Sequence, residues 1–129
     1  MEKITAEFIA QFIATNNIPF VPTQSKLSIP IIARICRKMS HDIRFDEIKT
    51  CGKLVIDGHH RYLSSLIMKF EIGTVRTNTT SGTKETPWAQ IEFDENDGDT
   101  PAKINYLNEQ DAKYNNLTVE FLTGITSNN

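Results

Sequence analysis

The run Asp57-Gly58-His59-His60-Arg61 places an acid, a glycine, two imidazoles and a guanidinium side by side. An imidazole exchanges a proton near neutral pH because its unperturbed pKa is ~6.5. A guanidinium offers a planar fork of donors matched to phosphate oxygens. A glycine permits a positive φ or a close backbone approach to a ligand. The chemistry these types allow is phosphate handling. Gly58 and Arg61 hold the anion, His59 and His60 act as acid, base or nucleophile, and Asp57 orients an imidazole or holds a metal-bound water. Plainer readings stand beside these: a turn-forming Asp57 and Gly58, an Arg61 paired with Asp57 or a C-terminal acid, and structural histidines. Two adjacent histidines at a helix start point in different directions, so one can line a cleft while the other supports it.

The flanking pattern says which elements position these residues. Leu54, Val55 and Ile56 form a β-favouring apolar run, whereas Tyr62, Leu63, Leu66, Ile67 and Phe70 recur at helical spacing. The order is therefore strand, tight turn, then a helix over 61–70. A helix start carries unpaired backbone N–H groups and the positive end of the helix dipole. With a guanidinium and imidazoles added it becomes an anion site, and phosphate is the natural anion.

Asp57-Gly58-His59-His60-Arg61-Tyr62-Leu63 after a short strand resembles the signature of the ParB/sulfiredoxin superfamily, over about residues 20–73. In that superfamily a Gly-x-x-Arg turn at a helix N-terminus holds nucleotide phosphates, with an early polar loop nearby. The resemblance implies phosphate or nucleotide contacts from Gly58, Arg61, Gln24, Ser25 and Lys26. Lys26 would neutralise a phosphate, its plainer role being that of a solvated loop lysine. The double histidine is most similar to the ParB-like nuclease domains, several of which end secreted antibacterial toxins. Sulfiredoxins carry their reactive cysteine where this chain has His59, so thiol-based sulfinic-acid reduction is not implied. What is implied is an antibacterial toxin or effector-like phosphohydrolase with His59, His60 and Asp57 as catalytic residues. It would act on a nucleoside triphosphate such as ATP or on a DNA phosphodiester. The resemblance also implies a cognate immunity (inhibitor) protein and action in the cytoplasm after delivery into a target bacterium by a secretion system. It leaves open a divalent metal such as Mg2+. The alternative is a nucleotide-binding switch or adaptor without turnover, although no helix-turn-helix reader or dimerisation segment accompanies the motif.

The length of 129 residues fits one domain, residues 1–129, and 39% hydrophobic residues suffice for a core. No run approaches the ~20 apolar residues a bilayer span needs, and no membrane partner is expected. Met1-Glu2-Lys3 leads straight into an amphipathic pattern, which is not that of a signal peptide. Cys36 and Cys51 are expected to be free thiols, and no Cys-x-x-Cys pair suggests zinc. Residues 1–84 hold 12 Lys and Arg against 7 Asp and Glu, whereas residues 85–129 hold 2 against 9. This uneven charge hints at an anionic ligand, while the overall −2 argues against coating duplex DNA by bulk charge.

Thr5 caps a first helix, stapled by Ile4 and Ile9 and buried along Phe8, Ile9, Phe12 and Ile13. Residues 18–22 are extended by their prolines. Ser28 caps a second helix with Pro30 in its first turn and Ile29, Ile32, Ile35, Cys36 and Met39 inward. Residues 45–49 and 53–56 suggest a hairpin across Thr50-Cys51-Gly52. Ile72, Val75 and residues 91–93 mark short strands around a polar loop at 77–86. Trp88 reads as a core anchor, with base stacking as its other use. The acidic run 94–99 is a solvated loop, an inhibitor contact or an incomplete calcium loop lacking the closing Glu. Thr100 and Pro101 open a helix with Ile104 and Leu107 inward. Thr118 starts a last short helix containing Phe121, and 125–129 reads as a frayed tail. The fold expected is a small α+β domain, a mixed β-sheet flanked by several helices.

Overall fold

A computed structural model describes residues 3–127. The chain forms a mixed α+β domain. In order it runs α1 (Ala6–Thr15), β1 (Lys26–Ser28), α2 (Ile29–Ser40), β2 (Ile48–Cys51), β3 (Leu54–Asp57), α3 (His59–Met68) and β4 (Thr74–Arg76). A 3-10 turn (Trp88–Gln90), β5 (Glu92–Asp94), α4 (Pro101–Asn115) and α5 (Val119–Thr126) complete it. The strands make two small sheets. One is mixed, with β2 central, antiparallel to β3 and parallel to β4; the other is the parallel pair β1–β5.

Local chemistry accounts for most boundaries. The Thr5 hydroxyl accepts the Phe8 N–H at 3.0 Å, and Ile4 and Ile9 are both buried. Thr100 and Thr118 cap α4 and α5 in the same manner, accepting from Lys103 N and Phe121 N at 3.1 Å. Ser28 occupies the N-cap position of α2, yet its side chain makes no cap bond. Its hydroxyl faces the acidic loop instead, donating to the Asn96 carbonyl and accepting from Gly98 N–H, both at 3.0 Å.

Several elements depart from the sequence pattern. The hairpin turn is Gly52-Lys53, because Thr50 and Cys51 pair within β2 and Gly52 supplies the positive φ of 57°. Residues 45–47 lie outside the strand, since Phe45 is drawn off to the second core. Helix α3 begins at His59, two residues before the expected start at residue 61, because Gly58 closes the turn in the left-handed region. Ile72 packs on the core outside any strand. Ile104 and Leu107 are half-buried, and the buried members of α4 are Asn108 and Ala112. Residues 125–126 are not frayed: Ile125 and Thr126 are buried, and Arg37 donates to the Thr126 carbonyl at 3.1 Å. Residues 128–129 of that expected tail lie outside the described residues.

The main core joins α1, α2, α3 and the sheets through Ile9, Leu27, Ile32, Cys36, Ile48, Val55 and Leu63, and Trp88 belongs to it. The Trp88 indole donates to the Phe20 carbonyl at 2.8 Å, so its polar edge is satisfied. A second, smaller core holds Ile43, Ala112, Leu122 and Ile125 under α4 and α5. Helix α2 packs on α3 and on α5. Among the described residues no helix is long and apolar enough to cross a membrane. Both cysteines are free; Cys36 is buried, and burial pushes its thiol pKa up to about 11.

The second core is small, so each member weighs heavily. Leu122 is fully buried. Leu122→Ala is expected to cost ~2–5 kcal/mol, the usual range for deleting a buried leucine. Urea denaturation should show a lower midpoint at unchanged slope. A loss below about 1 kcal/mol would mean that α5 is not integral to the fold.

Candidate functional site

Helix α3 starts at Gly58, whose φ of 93° is accessible at low cost only to glycine. A Cβ there would lie 2.7 Å from both Arg61 Nη2 and Ile48 Cγ2, so the position is also sterically closed. The helix has no side-chain N-cap and no acid in its first turn. Its leading N–H groups are therefore uncapped by any side chain, and the helix dipole adds positive potential there.

This helix start opens into a cleft of about 470 Å3 bounded by α2, α4 and the end of β3. Asp57, Gly58, His59, His60, Arg61 and Gln24 all line it. Lys26 and Ser25 do not. They line a neighbouring groove that shares Gln24 and His60 with the cleft. Lys26 is held there by Asp94 at 3.1 Å and Glu92 at 3.8 Å.

The two imidazoles are not loose side chains. His59 Nε2 accepts the Thr23 N–H at 2.9 Å, and His60 Nε2 accepts the Ser28 N–H at 2.9 Å. Accepting through Nε2 puts the proton of each neutral ring on Nδ1. The polar loop before α2 is thus pinned near both ends by consecutive residues of α3. Tyr62, one turn further on, accepts the Phe20 N–H at 3.2 Å and stacks edge-on against the Phe20 ring.

Burial sets the charge state. It pulls the His60 pKa down to about 4, with His59 and Arg34 adding to the effect and Asp99 opposing it. Burial also lowers His59, against the opposing influence of Asp57 and the Val55 carbonyl. Both rings are neutral at pH 7. In this state the His60 Nε2 is occupied by the Ser28 N–H and its Nδ1–H is the group with a proton to donate.

Arg61 is braced at the same helix start. Its Nη1 donates to the Asp46 carbonyl at 2.9 Å, and its Nη2 stands 4.0 Å from Asp57. Asp57 itself is mostly exposed, on the rim.

The walls hold residues the motif does not announce. Helix α2 contributes Ile31, Arg34, Ile35 and Lys38, and α4 contributes Lys103, Leu107 and Asp111. The spacing was the available signal: both sets recur at three or four residues, the mark of one helix face. Lys38 is buried against Asp111 at 2.5 Å, and Arg34 is paired with Asp97 and Asp99. The lining carries Arg34, Lys38, Arg61 and Lys103 against Asp46, Asp57, Asp99 and Asp111. The cleft is therefore a balanced array of charges, not the simply basic surface suggested by residues 1–84. Among the described residues no cluster of three or more His, Cys, Asp or Glu could hold a metal ion, so the residues here do not fit a dedicated protein cage for one. No protein-family model, curated protein or solved structure matches the chain.

The histidine environment makes a signed prediction. A folded-state pKa below the unfolded value favours the neutral ring. The resulting stability is complete above about pH 6.5 and is lost as pH falls towards 4. For His60 the loss by pH 4 is on the order of 2–3 kcal/mol, and His59 adds to it. Urea midpoints measured from pH 7.5 to 4 should fall steeply in wild type and less steeply in His60→Gln. Equal slopes would show that His60 is not a neutral acceptor in the folded state.

Proposed function

We propose that this chain is a phosphohydrolase of ParB/sulfiredoxin type, acting as an antibacterial effector on nucleotide phosphate bonds. The observation that carries the reading is the α3 start, which has no side-chain cap, is shaped by Gly58 and opens into a cleft beside Arg61. Phosphate oxygens accept from the leading N–H groups of α3, from the Arg61 guanidinium and from the His60 Nδ1–H. Asp57 on the rim takes the proton of the attacking water as the bond from phosphorus to the leaving oxygen breaks. His59 and His60 hold the 23–28 loop against the bound anion. The resemblance of the motif adds an immunity protein as partner and delivery into a target cell, and leaves a divalent metal open.

Between substrates, the size and charge of the cleft favour a free nucleotide. A volume of about 470 Å3 lies within the range of small-molecule sites, about 300–1,000 Å3, and its balanced charge gives little pull on a long polyanion. One observation favours the reading without turnover: both imidazoles are neutral and their Nε2 atoms are already engaged.

Incubation of the purified chain with each nucleoside triphosphate, plasmid DNA and RNA, with and without Mg2+, separates these readings. The expected result is phosphate or pyrophosphate release from a free nucleotide, lowered roughly 10²–10³-fold by Arg61→Ala, the scale of one transition-state donor. Plasmid nicking that declines with salt would move the substrate to DNA. Tight binding with no product would establish the switch reading, and neither binding nor product would remove the phosphate assignment.

A further inference from the structure

Arg34 lies on the cleft-facing side of α2, and only 12% of its side chain is exposed. Its Nη1 donates to Asp97 at 2.6 Å, and its Nη2 donates to Asp97 at 2.8 Å and to Asp99 at 3.3 Å. A guanidinium gripped by two carboxylates in an anion-binding cleft has the geometry of an arginine gripping a phosphoryl group.

The segment that delivers these carboxylates is fastened separately. Gly98, between the two acids, donates to the Ser28 hydroxyl, which in turn donates to the Asn96 carbonyl. Gly98 packs so closely that a Cβ would lie 2.9 Å from Ile31 Cδ1 and 3.3 Å from Ser28 Cβ. The same Ser28 gives its backbone N–H to His60. Residues 96–98 are therefore anchored beside the motif by these contacts, while Asp97 Oδ1 also accepts the Asp99 N–H at 3.0 Å. For the carboxylates to leave Arg34, Asp97 exchanges its bond to the Asp99 N–H for water, and residues 96–98 stay held through Ser28 and Ile31. Asp97 keeps 35% of its side chain exposed, so it has solvent to turn into.

We propose that Arg34 is a ligand-contacting residue of this cleft and that Asp97 and Asp99 are its internal substitute anion, displaced when a phosphate chain binds. The inference rests on the cleft being the phosphate site. It deepens that reading by setting a threshold on the ligand. Two carboxylates present Arg34 with a formal charge of −2. A phosphodiester brings −1 per phosphate, whereas a terminal phosphoryl group brings about −2 at neutral pH. A terminal polyphosphate can make the exchange and a diester cannot. The acidic run 94–99 is then an internal gate for the site rather than a free surface for an inhibitor.

Calorimetric titration of inorganic pyrophosphate into the full chain tests this, using wild type, D97N/D99N and D97N/D99N/R34Q. The single variant D97N serves as a second probe that leaves Asp99 in place. Removing the carboxylates should tighten pyrophosphate binding roughly tenfold, the scale of one charge-assisted hydrogen bond, and adding R34Q should abolish the gain. A short single-stranded DNA should show no comparable gain. Unchanged affinity in both D97N and D97N/D99N overturns the proposal, as does a gain that survives R34Q and so reflects overall charge alone. Adding R61Q to D97N/D99N keeps the two readings distinguishable. Pyrophosphate binding that needs Arg34 but ignores Arg61 sinks the α3-centred site and keeps Arg34, whereas binding that needs Arg61 but ignores the acids does the reverse.

Discussion

Two consecutive imidazoles accept backbone N–H groups from two points of one loop, and the candidate site depends on that constraint. His59 takes Thr23 and His60 takes Ser28. These bonds tie the segment ahead of α2 to the first turn of α3. Thr23 strengthens the tie by donating its hydroxyl to the Val55 carbonyl at 2.7 Å, reaching β3 as well. A glycine start to α3 follows from the same demand: with φ at 93° the chain turns sharply enough from β3 to direct both rings at the loop. Rings that accept through Nε2 in this way, His59 buried and His60 half-buried, must stay neutral. The site is thus built for fixed hydrogen bonding across the neutral pH range, at the cost of stability in acid.

Charge is arranged on the same plan. Five of the ion pairs among the described residues join a cation from the first part of the chain to an acid beyond residue 91. The lopsided sequence charge is accordingly an internal matching of α2 and β1 to β5, the 94–99 loop and α4. Arg34 and Lys38 are largely removed from solvent in these pairs, which makes them costly to break without a substitute anion. Lys26, by contrast, is an exposed pair member and contributes little.

Much of the scaffold was legible because it is written in short-range chemistry. Thr5, Thr100 and Thr118 cap helices by a hydroxyl three residues ahead of its N–H donor, and such pairs are visible in any sequence. The strand–turn–helix around Gly58 was legible for the same reason, as was the convergence of Asp57, Gly58, His59, His60 and Arg61. What escaped depends on contacts between distant segments. Nothing local to Ser28 shows that its hydroxyl abandons its own helix for residues 96 and 98. Nothing local to Ile104 and Leu107 shows that α4 turns Asn108 and Ala112 to the core and leaves Leu107 on the cleft wall. The placement of Lys26 outside the cleft follows from its pull towards Asp94 and Glu92, strand neighbours known only once β1 pairs with β5. The histidines lay between these extremes: the pair stood out in the sequence, but the burial that lowers both pKa values comes from the loop that covers them.

The central claim is that the first turn of α3 receives a phosphate. Amide chemical shifts followed by heteronuclear NMR during titration with pyrophosphate read this turn directly. Saturable shifts of the His59, His60 and Arg61 N–H resonances, larger than those elsewhere and absent in a chloride control of equal ionic strength, are the predicted result. Shifts confined to exposed lysines such as Lys49 and Lys53, with the three amides unmoved, would contradict it.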